Sequence, residues 1–333
     1  MFSFFKKLVL VFLTLLLAFC VFIYWASSPK LNAEKYVQKI HFGEFLKTDA
    51  DSVFTLITYN IGYLSGMTNN LDSTRNKKMF DGNLKIVEQA FEQHNPDFLA
   101  LQEVDFGGSR AYEVNQFESL GNYLGFHEGG MAVNWDKNYV PFPYSISTKN
   151  HFGNVFSGQG ILSKYPISNH DASVLERPDN PFWYDLFYID RLAQVAEVKV
   201  GSQKIYIINV HLEAYKEEAR RKQTEVVLKM YQDLSEKQIT FLVGDFNSEP
   251  SKEAKSNPTI DILLKETGLI STCPTEFFNT ENALTFPADF PNKQIDYIFY
   301  DSTKVERLAW QVLKTTGTAS DHLPLMFKFS FKN

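Results

Sequence analysis

The N-terminal part of the chain has a continuous apolar run, unlike the mixed pattern of everything after it. Residues 8–25 are long enough to cross a bilayer as a helix, and they exceed the apolar core of a cleavable signal peptide. The run ends in Tyr24 and Trp25, aromatic residues of the kind found at membrane interfaces. We therefore predict that residues 1–26 are a retained membrane anchor, with a cleaved signal segment as the alternative.

The charges beside the apolar run predict its orientation. Lys6 and Lys7 precede the run and favour a cytoplasmic N-terminus, which places the rest of the chain outside the cytoplasm. A cleaved leader would instead give a secreted protein. Residues 27–50 are polar without a strong period, and we interpret them as a linker or an early embellishment. Residues 51–333 are predicted to form one domain.

Beyond the apolar run, strand-like segments alternate with helix-like ones. The predicted strands are short and rich in β-branched or aromatic residues. They cover residues 53–59, 98–104, 160–162, 194–200, 204–210, 240–243, 294–300 and 325–331.

Two segments have the spacing of helices. Leu84, Val87 and Phe91 recur at helical intervals between the first two strands. Residues 217–234 form the clearest helix, whose predicted apolar stripe is Val226, Val227, Met230 and Leu234.

The connections between strands indicate the fold class. Gly201-Ser202 separates two predicted strands by a hairpin-length step, which favours antiparallel pairing. We therefore predict an α/β protein with mostly antiparallel sheets and helices outside them. Residues 107–149 have no clear pattern, and 141–144 are predicted to be a surface loop.

Composition and charge exclude several classes of protein. The chain has 333 residues, of which 44% are hydrophobic, and this excludes a disordered protein. Only 2 cysteines are present, so a disulfide scaffold or a cysteine-rich zinc module is excluded. The formal net charge of -6 argues against binding nucleic acid by bulk electrostatics.

Polar residues fall where the apolar strands end or begin. Each of them alone is most simply a turn residue or a satisfied histidine. Together they could bind a hard cation or a phosphate, and donors rich in oxygen favour Mg²⁺, Mn²⁺ or Ca²⁺ over zinc. These residues are Asn60, Glu103, His211, Asp245, Asn247, Asp296, Asp321 and His322.

The segments that carry these residues resemble the motifs of the endonuclease/exonuclease/phosphatase superfamily. They occur in the family's order over residues 58–324. The resemblance implies a four-layer α/β sandwich, in which two mixed, mostly antiparallel β-sheets pack face to face with helices outside. It also implies a catalytic domain over residues 51–333 that hydrolyses phosphoesters with a divalent metal.

The resemblance further implies a role for each polar residue. Glu103 is the expected principal ligand of Mg²⁺ (or Mn²⁺), with Asn60 and Asp321 nearby. A carboxylate is the usual protein ligand for such a hard ion.

The expected catalytic residues surround the phosphate. Asp245 would orient or deprotonate the attacking water, and Asn247 would hold that water or the phosphate. His322 would face the phosphate with Asp296 on its other ring nitrogen, and His211 would be a second donor. Whether Asp245 or His322 is the base stays open at this point.

Three further polar residues stay outside the expected set. Arg191 has two equally good interpretations, a phosphate contact or a surface salt bridge. Arg110 and Gln223 are assigned no role.

The sequence leaves the substrate open, because the superfamily includes nucleases, inositol-phosphate and sugar-phosphate phosphatases and sphingomyelinases. The 30 phenylalanines and 16 tyrosines would suit a site for lipid headgroups near a membrane, although packing of the sandwich also explains them. We expect a monomeric, membrane-tethered, extracytoplasmic phosphoesterase, with a lipid or small-molecule substrate preferred. The alternatives are an extracytoplasmic nuclease and a catalytically inactive binding module.

Overall fold

The computed structural model describes residues 2–43, 52–145, 147–251 and 258–332. The described residues form six α-helices: α1 (Phe2–Ser27), α2 (Lys77–Glu92), α3 (Gln116–Tyr123), α4 (Phe182–Asp185), α5 (Glu217–Ser235) and α6 (Ile260–Leu264). They also form thirteen β-strands: β1 (Val37–His41), β2 (Phe54–Asn60), β3 (Phe98–Asp105), β4 (Glu128–Val140), β5 (Gly153–Ser163), β6 (Ile167–Val174), β7 (Leu192–Val200), β8 (Gln203–His211), β9 (Ile239–Asp245), β10 (Ile270–Ser271), β11 (Asp296–Tyr300), β12 (Val305–Val312) and β13 (Leu325–Phe331).

The described strands form two mixed sheets. The first has the order β1-β4-β5-β3-β2-β13-β12, and the second has the order β10-β11-β9-β8-β7-β6. The pairs β2–β3 and β8–β9 are parallel, whereas the other neighbours are antiparallel. A parallel pair needs a crossover connection, and α2 and α5 provide these two crossovers.

Three apolar clusters hold the layers together. One lies between the sheets and brings Phe54 and Phe98 of the first sheet together with Phe241 of the second. Because side chains alternate across a strand, the neighbouring positions face outward. Leu99 packs against the α2 side on one outer face, and Leu242 packs against the α5 side on the other. The predicted four-layer sandwich of two mostly antiparallel mixed sheets is confirmed.

The predicted strands and helices are confirmed, and one predicted stripe residue is wrong. On α5 the buried apolar residues are Ala219, Val227 and Tyr231, whereas Val226 is exposed. The residues buried from α5 are four apart, and Val226 lies beside that stripe.

Five of the described strands were not predicted: β1, β4, β6, β10 and β12. β4 lies inside the segment 107–149 that had no clear pattern, because Asn134 and Asp136 are buried polar residues that break its apolar alternation. β1 lies inside 27–50 and pairs with β4 at the edge of the first sheet, so this part of the segment is an embellishment of the sheet and not a linker. Residues 44–50 lie outside the described residues. The boundaries at 26 and 50 stay predictions.

The first helix is a candidate membrane anchor or signal sequence. Among the described helices, α1 is long and apolar enough to cross a membrane, with a mean hydropathy of 2.8 over its best window within Ser3–Ser27. None of that window is buried against the domain.

Candidate active site

The predicted site residues meet at one end of the two sheets. In the second sheet Asp245, at the end of β9, lies opposite both His211 of β8 and Asp296 of β11. The first sheet supplies Asn60 at the end of β2, and its side-chain Nδ2 donates to Asp245 Oδ2 at 3.0 Å. The ends of strands from both sheets therefore face a common cleft.

A buried histidine lies between two carboxylates. His322 Nδ1 donates to Asp296 Oδ2 at 2.9 Å, and its Nε2 lies 3.7 Å from Asp245 Oδ2. Thr285 Oγ1 donates to the same oxygen of Asp296 at 2.6 Å and fixes that carboxylate. Burial opposes the charged imidazolium, but Asp296 and Asp245 overcome it and raise the pKa of His322 to about 10. The two carboxylates therefore favour the protonated ring, whose Nε2 lies on the side of Asp245.

Asp245 is held in a fixed orientation by two donors. The Asn60 amide contacts one oxygen, and the backbone N–H of Asn247 donates to the other at 2.9 Å. Asn247 has a φ of +49°, and its side-chain Nδ2 donates to Leu212 O at 3.0 Å. Burial raises the pKa of Asp245 to about 7, with the His322 cation opposing the rise.

Glu103 reaches the cleft because β3 is irregular at this point. The pairing of β3 with β5 shifts register between Leu101 and Val104, and Glu103 has a φ of +51°. Such a bulge redirects a side chain that regular alternation would aim elsewhere. Burial raises the pKa of the Glu103 carboxyl, and the nearby Asp321 carboxylate raises it further.

Asn69 joins two carboxylates, and sequence reasoning missed it. Its Nδ2 donates to Glu103 Oε2 at 2.9 Å and lies 3.3 Å from both carboxylate oxygens of Asp321. Asn69 follows a short turn rather than a strand, so no apolar run marks it. Gly62 leaves room for this group, because a Cβ there would lie 2.7 Å from Asp321 Oδ1.

The donor set fits a hard divalent cation. Glu103 and Asp321 are two acidic groups that share one amide, and their mutual repulsion would be relieved by a cation between them. Ligand atoms of Asp245, Asp296 and His322 also lie within 4.8 Å of one another and could hold a metal. In that second group, however, Asp296 and His322 are already bonded to each other.

His211 is neutral, because it accepts a hydrogen bond from an arginine. Arg191 Nη1 lies 2.8 Å from His211 Nε2, and a guanidinium only donates, so the ring proton is on Nδ1. Burial and then the Arg191 charge lower the pKa of His211 well below its usual value.

Arg191 lies in the site and is not at the surface. It is buried and lines the cleft, and its Nε is 3.7 Å from Glu213 Oε2. Glu213, which sequence reasoning also missed, accepts from the Tyr188 hydroxyl and from the backbone N–H of Tyr215. The only sequence signal for Glu213 was its position two residues after His211.

The other two residues without an assigned role lie behind the site. Arg110 is buried and its Nε donates to Asp105 Oδ2 at 3.1 Å, while its guanidinium lies 3.3 Å from the ring centre of Tyr63. Gln223 Oε1 accepts from the backbone N–H of Glu213 at 2.8 Å. Both support residues of the cleft wall.

The cleft has a volume of about 300 Å³ and is lined by two chemically different groups of side chains. The polar group holds the carboxylates, histidines and Arg191 described above. The aromatic group consists of Tyr63, Trp135, Phe142, Tyr144, Trp183, Tyr184, Phe187, Tyr188, Tyr215 and Phe286.

A two-sheet sandwich with acidic and imidazole groups at the ends of its strands is typical of metal-assisted phosphoester hydrolases. The profile of the Endonuclease/Exonuclease/phosphatase family matches residues 57–322. The chain belongs to this family, whose members are usually hydrolases of phosphoesters or nucleic acids and typically use divalent metals. A search of curated proteins gave no match.

Solved structures share the fold at low sequence identity. An endonuclease/exonuclease/phosphatase from Beutenbergia cavernae DSM 12333 has a TM-score of 0.59 and 17% identity, covering 85% of this chain and 72% of its own. The human Nocturnin catalytic domain with bound sulfate also has a TM-score of 0.59 and 17% identity, covering 92% and 99%. A mannosyl-6-phosphatase from Bacteroides thetaiotaomicron VPI-5482 has a TM-score of 0.56 and 16% identity, covering 84% and 100%.

Proposed function

We propose that this protein is a Mg²⁺-dependent (or Mn²⁺-dependent) phosphoester hydrolase, tethered by α1 with its cleft outside the cytoplasm. The observation that carries the proposal is the arrangement of the polar residues that line the cleft. A histidine flanked by Asp296 and Asp245 lies at the same strand ends as the acidic pair Glu103 and Asp321.

Glu103 and Asp321, with the Asn60 side chain nearby, are the proposed metal ligands. A bound Mg²⁺ would neutralise phosphoryl oxygens and polarise the phosphorus towards attack. Asn69 holds the two carboxylates at a fixed separation through one amide group. This fixed spacing suits a metal with strict demands on ligand geometry.

The proposed roles of Asp245 and His322 follow from their hydrogen bonds. His322 has a carboxylate on each side and so carries a positive charge, which makes its Nε2–H a donor to a phosphoryl oxygen. Asp245 is an acceptor held by Asn60 and Asn247, and it is oriented to take a proton from water. This division of roles makes Asp245 the base.

The proposed reaction balances as a hydrolysis. The water oxygen forms a bond to phosphorus as the bond from phosphorus to the leaving oxygen breaks. Asp245 accepts one water proton, which returns through solvent to the leaving oxygen. Arg191, which is buried at the cleft wall, supplies a second positive charge towards the phosphate, and Asn247 and the neutral His211 lie beside the same space.

A lipid or small-molecule phosphoester is the preferred substrate. Many aromatic side chains line the cleft, and the chain has a formal net charge of -6. A pocket of this volume suits a headgroup or a sugar phosphate better than an extended nucleic-acid backbone. One protein with a similar fold acts on a phosphorylated sugar, as its name, mannosyl-6-phosphatase, states.

A substrate panel tests the proposal. The intact protein in non-ionic detergent is assayed with Mg²⁺ or Mn²⁺ on sphingomyelin, phosphoinositides, sugar phosphates, DNA, RNA and bis-p-nitrophenyl phosphate. We expect hydrolysis that stops with EDTA and falls by about 10²-fold or more in His322→Gln. His41→Gln, at an exposed histidine of β1, is the control. If none of the substrates is hydrolysed in a metal-dependent reaction, the proposal is overturned. Preferential cleavage of DNA or RNA would favour a nuclease.

A further inference from the structure

Exposed aromatic side chains surround the mouth of the cleft. Tyr144 is 80% exposed, Phe182 74%, Trp183 63% and Tyr215 82%. Tyr144, Trp183 and Tyr215 line the cleft. Phe182 packs edge-on against Trp183, with ring centres 5.2 Å apart. Single exposed apolar residues are ordinary, but a cluster of this kind at one opening marks a contact surface. We call these four residues the aromatic lip.

The C-terminal end of α1 is bound directly to β4. Asn138 Nδ2 donates to Trp25 O at 3.1 Å, and the Asn138 backbone N–H donates to Ser28 O at 3.1 Å. Lys137 Nζ donates to Ser27 O at 2.8 Å. The helix therefore passes into the domain without a free linker.

This attachment reaches into the apolar part of α1. The ring of Tyr139 lies 6.0 Å from the ring of Phe22, which is three residues before Trp25 and therefore about 4.5 Å further along the helix axis. If α1 spans a membrane with Trp25 at the interface, Tyr139 lies at the level of the bilayer surface.

The attachment point is close to the aromatic lip. Tyr144 is five positions after Tyr139 along the chain, so their Cα atoms are at most about 18 Å apart. Phe142 packs against the Tyr144 ring at 5.6 Å, and the Trp135 indole of β4 donates to Phe187 O at 3.1 Å. The strand that holds α1 thus also builds the aromatic wall of the cleft.

We propose that the aromatic lip is a membrane-contact surface, that α1 holds it against the bilayer, and that the cleft takes the phosphorylated headgroups of membrane lipids. Aromatic side chains with a polar edge favour the headgroup region of a bilayer. A volume of about 300 Å³ accommodates a headgroup but not a whole lipid, so the acyl chains would stay in the membrane. The substrate half of this proposal rests on the proposed hydrolase function.

Tryptophan fluorescence tests the contact surface without needing activity. The intact protein with Trp25→Phe is reconstituted into phosphatidylcholine vesicles that contain lipid brominated near the headgroup. We expect the bromines to quench its emission and most of this quenching to disappear on adding Trp183→Phe. Trp310→Phe, in the β12 strand away from the cleft, is the matched control and should retain the quenching. Equal quenching with and without Trp183 would overturn the contact surface.

A ratio of two rates tests the substrate class. Phe182→Asp and the control Val226→Asp, both at exposed apolar positions, are assayed on lipid phosphoesters in vesicles and on bis-p-nitrophenyl phosphate. We expect Phe182→Asp to lower the ratio of vesicle to soluble rate by about tenfold, and Val226→Asp to leave it unchanged. Hydrolysis of the soluble ester but of no vesicle lipid overturns the lipid half alone. Inactivity on both substrates would instead refute the proposed hydrolase function.

Discussion

His170, a partly buried histidine of β6, is expected to make the stability of the protein sensitive to acid. Gln194 Nε2 donates to His170 Nε2 at 2.9 Å, so this nitrogen accepts and cannot take a proton without losing the bond. Gln194 Oε1 in turn accepts from Asn209 Nδ2 at 3.0 Å, and Asn209 Oδ1 accepts from Gln102 Nε2 at 2.6 Å. This chain joins the two sheets next to Glu103.

The size of the effect follows from the pKa of His170. Burial lowers it from 6.5 to about 4, although Asp171 opposes the shift. The folded state disfavours the charged ring of His170. The free energy of unfolding is therefore undiminished by this residue above pH 6.5 and decreases as the pH falls towards 4. Between about pH 7.5 and pH 5, the shift corresponds to a loss of about 2 kcal/mol in the free energy of unfolding.

The assay compares two proteins at two pH values. Urea unfolding of the intact protein in non-ionic detergent is followed by tryptophan fluorescence for the wild type and for His170→Gln, which keeps an acceptor for Gln194 but does not titrate. We expect the wild type to lose about 2 kcal/mol more than the variant on acidification. The same loss in both proteins would refute the assignment of the effect to His170.

Three further predictions concern residues around the cleft. Arg191→Gln should lower kcat/KM on a soluble phosphodiester by about 10²-fold, and Arg191→Lys should lower it by less because lysine keeps the positive charge but not the guanidinium that contacts His211. Equal rates in the wild type and both variants would remove Arg191 from the site. Asn69→Ala should weaken Mn²⁺ binding by about 10- to 100-fold in a calorimetric titration, since the amide positions two proposed ligands; an unchanged affinity would contradict this. Arg110→Met should lower the free energy of unfolding by about 3 kcal/mol or more because it leaves Asp105 buried without its partner, and adding Asp105→Asn should recover part of the loss in urea unfolding; no recovery would show that packing and not charge dominates.

The carboxylates and histidines of the candidate site could be found in the sequence because each interrupts or borders an apolar strand. Asp245, for example, ends β9, and Asp296 begins β11, its antiparallel neighbour. Once both strands are found and paired, both carboxylates lie at the same end of the sheet. Their chain order then led to the correct family and sandwich.

Other parts of the site depend on contacts that no local pattern records. Asn69 meets Asp321 from 252 positions away along the chain, through a turn with no periodicity. The sequence left a phosphate contact and a surface salt bridge equally open for Arg191, and the fold buries it beside Glu213. β4 was not recognised because Asp136 interrupts its apolar pattern. In the fold, Asp136 accepts hydrogen bonds from the backbone N–H groups of Lys30 and Leu31, and these bonds allow a polar residue to be buried there.

The most direct test of the proposed function measures the rate of phosphodiester hydrolysis by the intact protein with and without Mg²⁺. The wild type is compared with Glu103→Gln and with the control Glu225→Gln, which changes an exposed side chain of α5. Activity that requires the metal, survives in Glu225→Gln and falls by about 10²-fold or more in Glu103→Gln is the predicted result. Full, metal-independent activity in Glu103→Gln would contradict a metal centre at this end of the sheets.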